Sequence, residues 1–191
     1  MISTNRQILA ACERPTVLVA LCEALSARGL AARASSFGHA MTSLEAVPCE
    51  ALVVVPALAP PAGVDAWTSV AEELTRTFEL LQRFARRAIA NKSAGHAIVL
   101  LPSAAAMGDP SDSAGSALAG GMLSLVRTLA LEFRKLGMTA NAVLFERAED
   151  TLGHDADLAA LVELLVAQPG TAISGQTIYA CNASDAGRLH P

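Results

Sequence analysis

Short runs of consecutive apolar residues recur along the chain, separated by longer segments in which apolar residues follow helical spacing. One such run, Ala51–Val55, is β-branched at three positions and ends at Pro56, and another covers residues 96–101. Strands that are apolar on both sides are typical of a parallel sheet covered by helices on both faces. The pattern therefore predicts an α/β fold with a doubly wound parallel sheet of about six strands.

The same pattern predicts where the individual elements lie. Strands are predicted at residues 8–11, 30–37, 51–55, 96–101, 139–145 and 173–180. Helices are predicted at residues 16–28, 64–91, 114–136 and 155–167. The segment 102–113 is rich in Pro, Gly, Asp and Ser, which predicts a loop. Without a repeat or a linker, the 191 residues are expected to form one domain, 1–191.

Composition argues against two classes of protein. Hydrophobic residues make up 52% and charged residues 17%, which is not the composition of a disordered chain. The formal net charge is −4, and the one basic cluster, Arg83, Arg86 and Arg87, is expected on the solvated face of a helix. No nucleic-acid partner is therefore expected. The surplus of Ala and Leu suggests apolar surface buried inside the chain or against another subunit.

The four cysteines give no sign of a metal site. Cys12, Cys22, Cys49 and Cys181 are scattered, with no Cys-x-x-Cys pair and no histidine at ligand spacing. The sequence shows no basic-then-apolar leader and no run of about 18 apolar residues. We therefore expect a cytoplasmic protein with reduced thiols, without zinc and without a membrane partner.

Residues 116–145 carry a specific resemblance to a known family. The segments 127–133 (RTLALEF) and 141–143 (NAV) are similar to the helix with the catalytic Tyr and Lys, and to the following strand, of the short-chain dehydrogenase/reductase family. Residues 98–103 and 173–178 resemble two further strands of that family. The resemblance spans nearly the whole chain. It implies a Rossmann-like fold and, in an intact member, an NAD-dependent alcohol dehydrogenase.

The cofactor-binding motif of this family is missing. Its Gly-x-x-x-Gly-x-Gly loop lets the backbone approach a pyrophosphate at a helix N-terminus. The matching positions here are Cys12, Thr16 and Leu18, and the first 28 residues contain no glycine. Thr16 is a possible cap for the first helix, whereas Pro15 lacks an amide donor. We therefore expect no dinucleotide to bind this chain.

The catalytic pair is missing as well. In the family a Tyr exchanges the proton of the substrate hydroxyl, and a Lys one turn later lowers the pKa of that Tyr. The matching positions are Gly115 and Ala119. Because Tyr179 is the only tyrosine and Lys92 and Lys135 are the only lysines, no Tyr-x-x-x-Lys exists anywhere in the chain.

Two polar residues remain near the expected cleft. Ser103 matches the serine that binds the substrate oxygen, although a polar residue at the start of a loop is the simpler interpretation. Glu73 stands where the family has an Asn of its proton relay, and we expect it on a solvated face with Glu72. The family's Asn-Asn-Ala-Gly segment is replaced by residues 55–58 (VPAL).

Two segments that surround the cleft in the family are shortened. Only 13 residues separate Phe37 from Ala51, too few for the usual helix–strand–helix that forms the adenosine side. After Val143, the chain continues into the last helix within about ten residues, which leaves no room for a substrate lid. Both walls and the lid of the cleft are therefore reduced, together with the loss of the cofactor motif and of the catalytic pair.

The long helices, which form subunit interfaces in the family, are kept. The helix at 114–133 is apolar on more than one face, so we expect one face to pack on the sheet and the other on a partner. Gly115, Gly120 and Gly121 would allow a close approach of that partner. A core helix rich in alanine is the simpler alternative. The predicted interface residues are Leu118, Met122, Leu125, Val126 and Leu129.

These observations predict a non-catalytic structural or regulatory subunit of a hetero-oligomeric NAD-dependent dehydrogenase. Its partner would be an active homologue that binds NAD, in a heterodimer or heterotetramer, and would act on a hydroxyacyl-CoA or a similar alcohol. A truncated, inactive subunit of this type is known in anaerobic toluene degradation. This chain itself would contribute no catalytic, cofactor-binding or metal-binding residue.

Two other hypotheses stay open at this point. One is a stand-alone module that binds a small molecule, or regulates, through a vestigial cleft. The other is an enzyme with different chemistry that uses Ser103 with His96 or His154, although no Gly-x-Ser-x-Gly motif supports it.

Overall fold

Six strands and six α-helices make up the part of the chain that the computed structural model describes, namely residues 6–46, 49–57, 64–146, 152, 155–167 and 172–180. In chain order they are β1 (Gln7–Cys12), α1 (Val19–Ala27), β2 (Ala31–Ser35), α2 (Phe37–Ala46), β3 (Ala51–Val55), α3 (Ala66–Ala90), β4 (His96–Pro102), α4 (Ser103–Met107), α5 (Ser113–Phe133), β5 (Thr139–Phe145), α6 (Asp155–Ala167) and β6 (Thr177–Tyr179).

The strands form one sheet in the order β2-β1-β3-β4-β5-β6, and every neighbouring pair is parallel. Alternate side chains enter two cores. Leu9 and Leu52 belong to the core under α2, α3 and α5, whereas Ile8 and Val53 belong to the core under α1 and α6. This arrangement confirms the doubly wound α/β sheet of about six strands. The strand order reverses between β1 and β3, which leaves a crevice at the carboxyl ends of these two strands.

Helices α3 and α5 lie side by side on one face of the sheet. The Asp65 carboxylate accepts a hydrogen bond from the Thr68 amide (2.9 Å) and caps α3, and Asp112 caps α5 in the same way through Gly115 (2.8 Å). A Cβ atom on Gly121 would lie 3.0 Å from Cδ2 of Leu74, so the glycine lets the two helices approach closely.

The main differences between the prediction and the structure lie at four places. Helix α2 was not expected, and α4 occupies part of the predicted loop 102–113. The first predicted helix begins with a separate 3₁₀ turn, Pro15–Leu18, and the last strand has only three residues because hydrogen bonds to Asn141 hold residues 173–176 in a loop. The strands 51–55 and 139–145 match the prediction.

Helix α5 is also the one helix of the described residues that is long and apolar enough to cross a membrane. Together with its 3₁₀ extension it spans Ser113–Leu136, with a mean hydropathy of 1.4 in its most apolar window. Because polar and charged residues interrupt it, this helix is not the continuous apolar run whose absence the sequence shows. Because α5 packs against β5 and α3, and 44% of that window is buried, its composition is that of a core helix.

Candidate functional site

The crevice between β1 and β3 is where open parallel sheets of this type bind ligands. Cys12 ends β1 at this crevice and is buried, and its thiol donates a hydrogen bond to the Arg14 carbonyl with an Sγ–O distance of 2.9 Å. Burial raises the pKa of the Cys12 thiol, so it stays protonated at neutral pH. A neutral thiol therefore stands at the position that the resemblance assigns to the first glycine of the cofactor loop.

Two backbone amides in the turn after β1 donate hydrogen bonds to carbonyls of the same turn. Val17 donates its N–H to the Arg14 carbonyl (3.1 Å), and Val19 donates to the Thr16 carbonyl. The Leu18 side chain is fully buried, whereas Thr16 is exposed and makes no side-chain cap. The prediction that Thr16 caps the first helix is wrong, because the 3₁₀ turn moves the helix start to Leu18. The amides of Val17 and Val19 are therefore paired within the turn itself.

Arg76, on α3, crosses the mouth of the crevice. Its guanidinium Nη1 lies 2.7 Å from the Glu13 carboxylate, which follows β1, and 3.5 Å from the Glu73 carboxylate. The guanidinium carbon also lies 5.8 Å from the centre of the Phe37 ring at the start of α2. Because Arg76 and Glu13 are partly exposed, this pair stabilises the fold by at most about 1 kcal/mol. Its effect is to place side chains of the protein across the crevice.

Glu73 is a buried carboxyl at the same place. Its side chain is only 3% exposed, and Oε1 accepts a hydrogen bond from the Ala57 amide at 2.9 Å. Burial raises the pKa of Glu73, and the Ala57 amide and Arg76 oppose that rise. The prediction of a solvated face shared with Glu72 is wrong, because α3 directs Glu73 and Thr77 toward the sheet. The i, i+4, i+7 spacing of Glu73, Thr77 and Leu80 is the sequence signal that points to this.

Neighbouring groups occupy the space around Gly115 and Ala119, the positions that the resemblance assigns to the catalytic pair. A Cβ atom on Gly115 would collide with the Asp112 carboxylate that caps α5, so a tyrosine here would displace that cap. Ala119 is fully buried in the core. A lysine side chain at this position would enter an apolar environment without a partner.

Ser103 and His96 lie at opposite ends of β4. Ser103 is buried at the carboxyl end, where α4 begins, and His96 is the first residue of the strand. Six residues of extended strand lie between them, which places them roughly 20 Å apart. His96 instead has its Nδ1 3.0 Å from the Thr139 hydroxyl. The hypothesis of a Ser103–His96 pair is therefore wrong, and His154 lies outside the described residues.

Most of the predicted interface residues are buried within the chain itself. Leu118, Met122, Val126 and Leu129 are each 5% exposed or less, and Leu125 is partly buried. The second apolar face of α5 packs on α3 and α4, so these four side chains offer no surface to a partner. An interface on α5 stays a prediction, and it would use the exposed residues Ser113, Ala117, Gly120, Ser124, Thr128 and Leu131.

The described residues contain no group of three or more His, Cys, Asp or Glu side chains arranged to hold a metal. Cys12, Cys22 and Cys49 are free, and Cys181 lies outside the described residues. Burial raises the pKa of both Cys22 and Cys49 to about 11, so neither thiol is poised for nucleophilic chemistry.

Solved structures with the same fold are numerous, although sequence comparison finds nothing. No protein-family model matches the chain, and none of the curated proteins is significantly similar to it. A variant of the actinorhodin polyketide ketoreductase with NADPH superposes with a TM-score of 0.74 at 14% identity, over 96% of this chain and 98% of the other.

Two dehydrogenases are similar to the same degree. Acetoin dehydrogenase YohF from Salmonella typhimurium has a TM-score of 0.71 at 16% identity, over 93% of this chain and 95% of the other. A 4-hydroxyisoleucine dehydrogenase complexed with NADH and succinate has a TM-score of 0.68 at 16% identity, over 90% and 96%. The chain therefore has the Rossmann-like fold of these dehydrogenases and reductases.

Proposed function

We propose that this chain is a degenerate short-chain dehydrogenase/reductase that serves as the non-catalytic subunit of an NAD-dependent dehydrogenase. An active homologous subunit supplies NAD and the catalytic Tyr and Lys, in a heterodimer or heterotetramer. Its substrate is a hydroxyacyl-CoA or a similar alcohol. The observation that carries the proposal is that this chain has the fold of enzymes solved with NADPH and NADH but contains no Tyr-x-x-x-Lys pair.

Local geometry supports the absence of catalysis. Gly115 and Ala119 stand in the catalytic positions, and the Asp112 cap and the core close the space around them. Across the crevice, Arg76 pairs with Glu13 where a dinucleotide would lie. These substitutions are independent of one another, yet each one removes a part of the same reaction.

An exposed aromatic surface supports a partner. Trp67 and Phe78 are 60% and 43% exposed on α3, and they lie on the same side of the helix as Leu74, which contacts Gly121 of α5. We call Trp67, Phe78 and the neighbouring exposed residue Gly120 the α3/α5 face. Aromatic residues are enriched where subunits meet, and a specific interface buries about 800 Å² per partner.

The inactive subunit of 2-[hydroxy(phenyl)methyl]succinyl-CoA dehydrogenase, from anaerobic toluene degradation, is one possible counterpart, since it is also truncated and lacks both motifs. No residue of this chain identifies that substrate. The second candidate function is a stand-alone binding or regulatory module. It is favoured by one buried polar group on α3, one turn after Glu73: the hydroxyl of Thr77 has no hydrogen-bond partner among the described residues.

Sedimentation of the purified chain tests the proposal. We expect the chain alone to self-associate at tens of micromolar and an active homologue to convert it into a defined complex. Trp67→Glu with Phe78→Glu should prevent that complex, because both charges would lie in a dry contact. Val19→Glu is the matched control, since Val19 is 46% exposed on α1, on the opposite face of the sheet. A stable monomer that no homologue binds would favour the stand-alone module.

A further inference from the structure

A second surface of α5 carries an inference that goes beyond the proposed function. It is a groove of about 440 Å³ lined by Arg127, Ala130, Leu131, Arg134, Ser174 and Gly175. Ala130 contacts Gly175, whereas Gly121 contacts α3. These two residues of α5 are nine positions apart, so they lie on opposite flanks of the helix. The groove wall at Ala130 therefore lies away from α3, whereas Arg127 and Leu131 lie within about 20° of Gly120 around the helix, so the groove adjoins the α3/α5 face.

The loop that forms one wall of the groove is held firmly. Gly175 has a φ of +75° and donates its amide to the Ala140 carbonyl at 2.7 Å. The Ser174 hydroxyl accepts from the Ala140 amide (3.2 Å), and Asn141 binds both the Ile173 carbonyl (3.0 Å) and the Gln176 amide (3.1 Å). Since Asn141 is fully buried, the wall is fixed before any partner arrives.

The opposite wall presents two positive charges around an apolar side chain. Arg127 and Arg134 are seven residues apart on the exposed side of α5, with Leu131 between them. Leu131 is 74% exposed, the highest value among the exposed large apolar residues. Neither arginine forms a salt bridge with a carboxylate of the described residues. Guanidinium groups bind carboxylates in pairs of parallel hydrogen bonds.

We propose that this groove docks an acidic segment of a partner protein, in which carboxylates flank an apolar side chain. The apolar side chain covers Leu131 and the Ala130–Gly175 contact, and the carboxylates pair with Arg127 and Arg134. Charge complementarity favours such a segment over a second copy of this chain, because two copies of the groove would bring four guanidinium groups together.

A labelled peptide tests this directly. The probe is a short peptide with two glutamates on each side of a leucine, followed by fluorescence anisotropy with the full chain. We expect saturable binding that weakens as salt rises. Arg127→Gln with Arg134→Gln should weaken binding at least tenfold, and Leu131→Ser about fivefold. Arg86→Gln with Leu164→Ser, at exposed sites elsewhere, should leave the affinity unchanged.

Three results would overturn the proposal. The first is the absence of saturable binding. The second is an equal affinity for the wild type and the Arg127/Arg134 double variant, when circular dichroism shows that both are folded. The third is equal binding of a peptide with serine in place of leucine, together with displacement by inorganic phosphate, which would indicate an unspecific anion contact. Because the probe needs no dehydrogenase subunit, its failure is distinguishable from failure of the proposed function.

Discussion

His96 should make the stability of this protein depend on pH between pH 7 and pH 4. The side chain is 3% exposed and its Nδ1 lies 3.0 Å from the Thr139 hydroxyl. Burial, and secondarily the positive charge of Arg6, lower the pKa of His96 from 6.5 to about 4. The neutral imidazole is therefore the form that the fold accepts.

The sign and size of the effect follow from this difference in pKa. Since the folded pKa is depressed, the unfolded chain takes up the proton first. The stabilisation is complete above about pH 6.5 and is lost as the pH falls toward 4. At about 1.4 kcal/mol per pKa unit, the free energy of unfolding should fall by about 3 kcal/mol over this range through His96 alone.

Urea unfolding followed by circular dichroism at pH 7, 6, 5 and 4 measures this. His96→Asn is the comparison, because Asn keeps a polar atom near Thr139 and does not titrate. Every other titrating group is common to both proteins, so the difference between the two curves isolates His96. We expect the wild type to lose about 3 kcal/mol more than the variant. If the free energies of unfolding of the two proteins changed in parallel with pH, burial of His96 would not lower its pKa as we infer.

Three further predictions concern the crevice and the loop before β6. Because the pKa of Glu73 is raised in the folded state, the folded protein is stabilised while Glu73 is neutral, and this stabilisation is lost as the pH rises above 4.5. The stability of Glu73→Gln relative to the wild type should therefore increase between pH 4 and pH 7. Equal urea midpoints for the two proteins at both pH values would contradict this. Gly175→Ala should lower the free energy of unfolding by about 1–2 kcal/mol, because Gly175 has a φ of +75°. Gly120→Ala lies in a helix and its Cβ meets no atom within 4 Å, so it should raise the free energy of unfolding by up to about 1 kcal/mol. Thermal melts that place the two variants in the opposite order would contradict the structure. Ser103→Ala should leave the activity of an assembled complex unchanged, and a hundredfold fall with the complex intact would mean that this chain does chemistry.

The strands were predictable because each one is a continuous apolar run that must be buried on both faces. Helix α2 was missed because its buried residues, Phe37, Ala40 and Leu44, are separated by Gly38 and other weak helix formers. Periodicity alone also could not tell what covers an apolar side chain. The sequence pattern predicts that Leu118 and Met122 contact a partner, whereas the protein's own core covers them.

The loss of the catalytic groups could be predicted from the sequence alone, because a residue type that is missing from the motif is missing whatever the fold is. How the space is filled was not, because it depends on contacts between distant segments. The Ala57 amide meets Glu73 sixteen residues later, and Arg76 meets Glu13 across 63 residues. Neither contact leaves a local pattern; the spacing of Glu73 with Thr77 and Leu80 indicates only that Glu73 faces the sheet, not which groups it meets there.

Native mass spectrometry of this chain, purified from its own cells in the presence of NADH, tests the central claim most directly. The account predicts a complex with a second chain of the same fold that carries Tyr-x-x-x-Lys, with the dinucleotide bound only to that second chain. Recovery of this chain alone, or with NADH bound to it after the subunits are separated, would contradict the account.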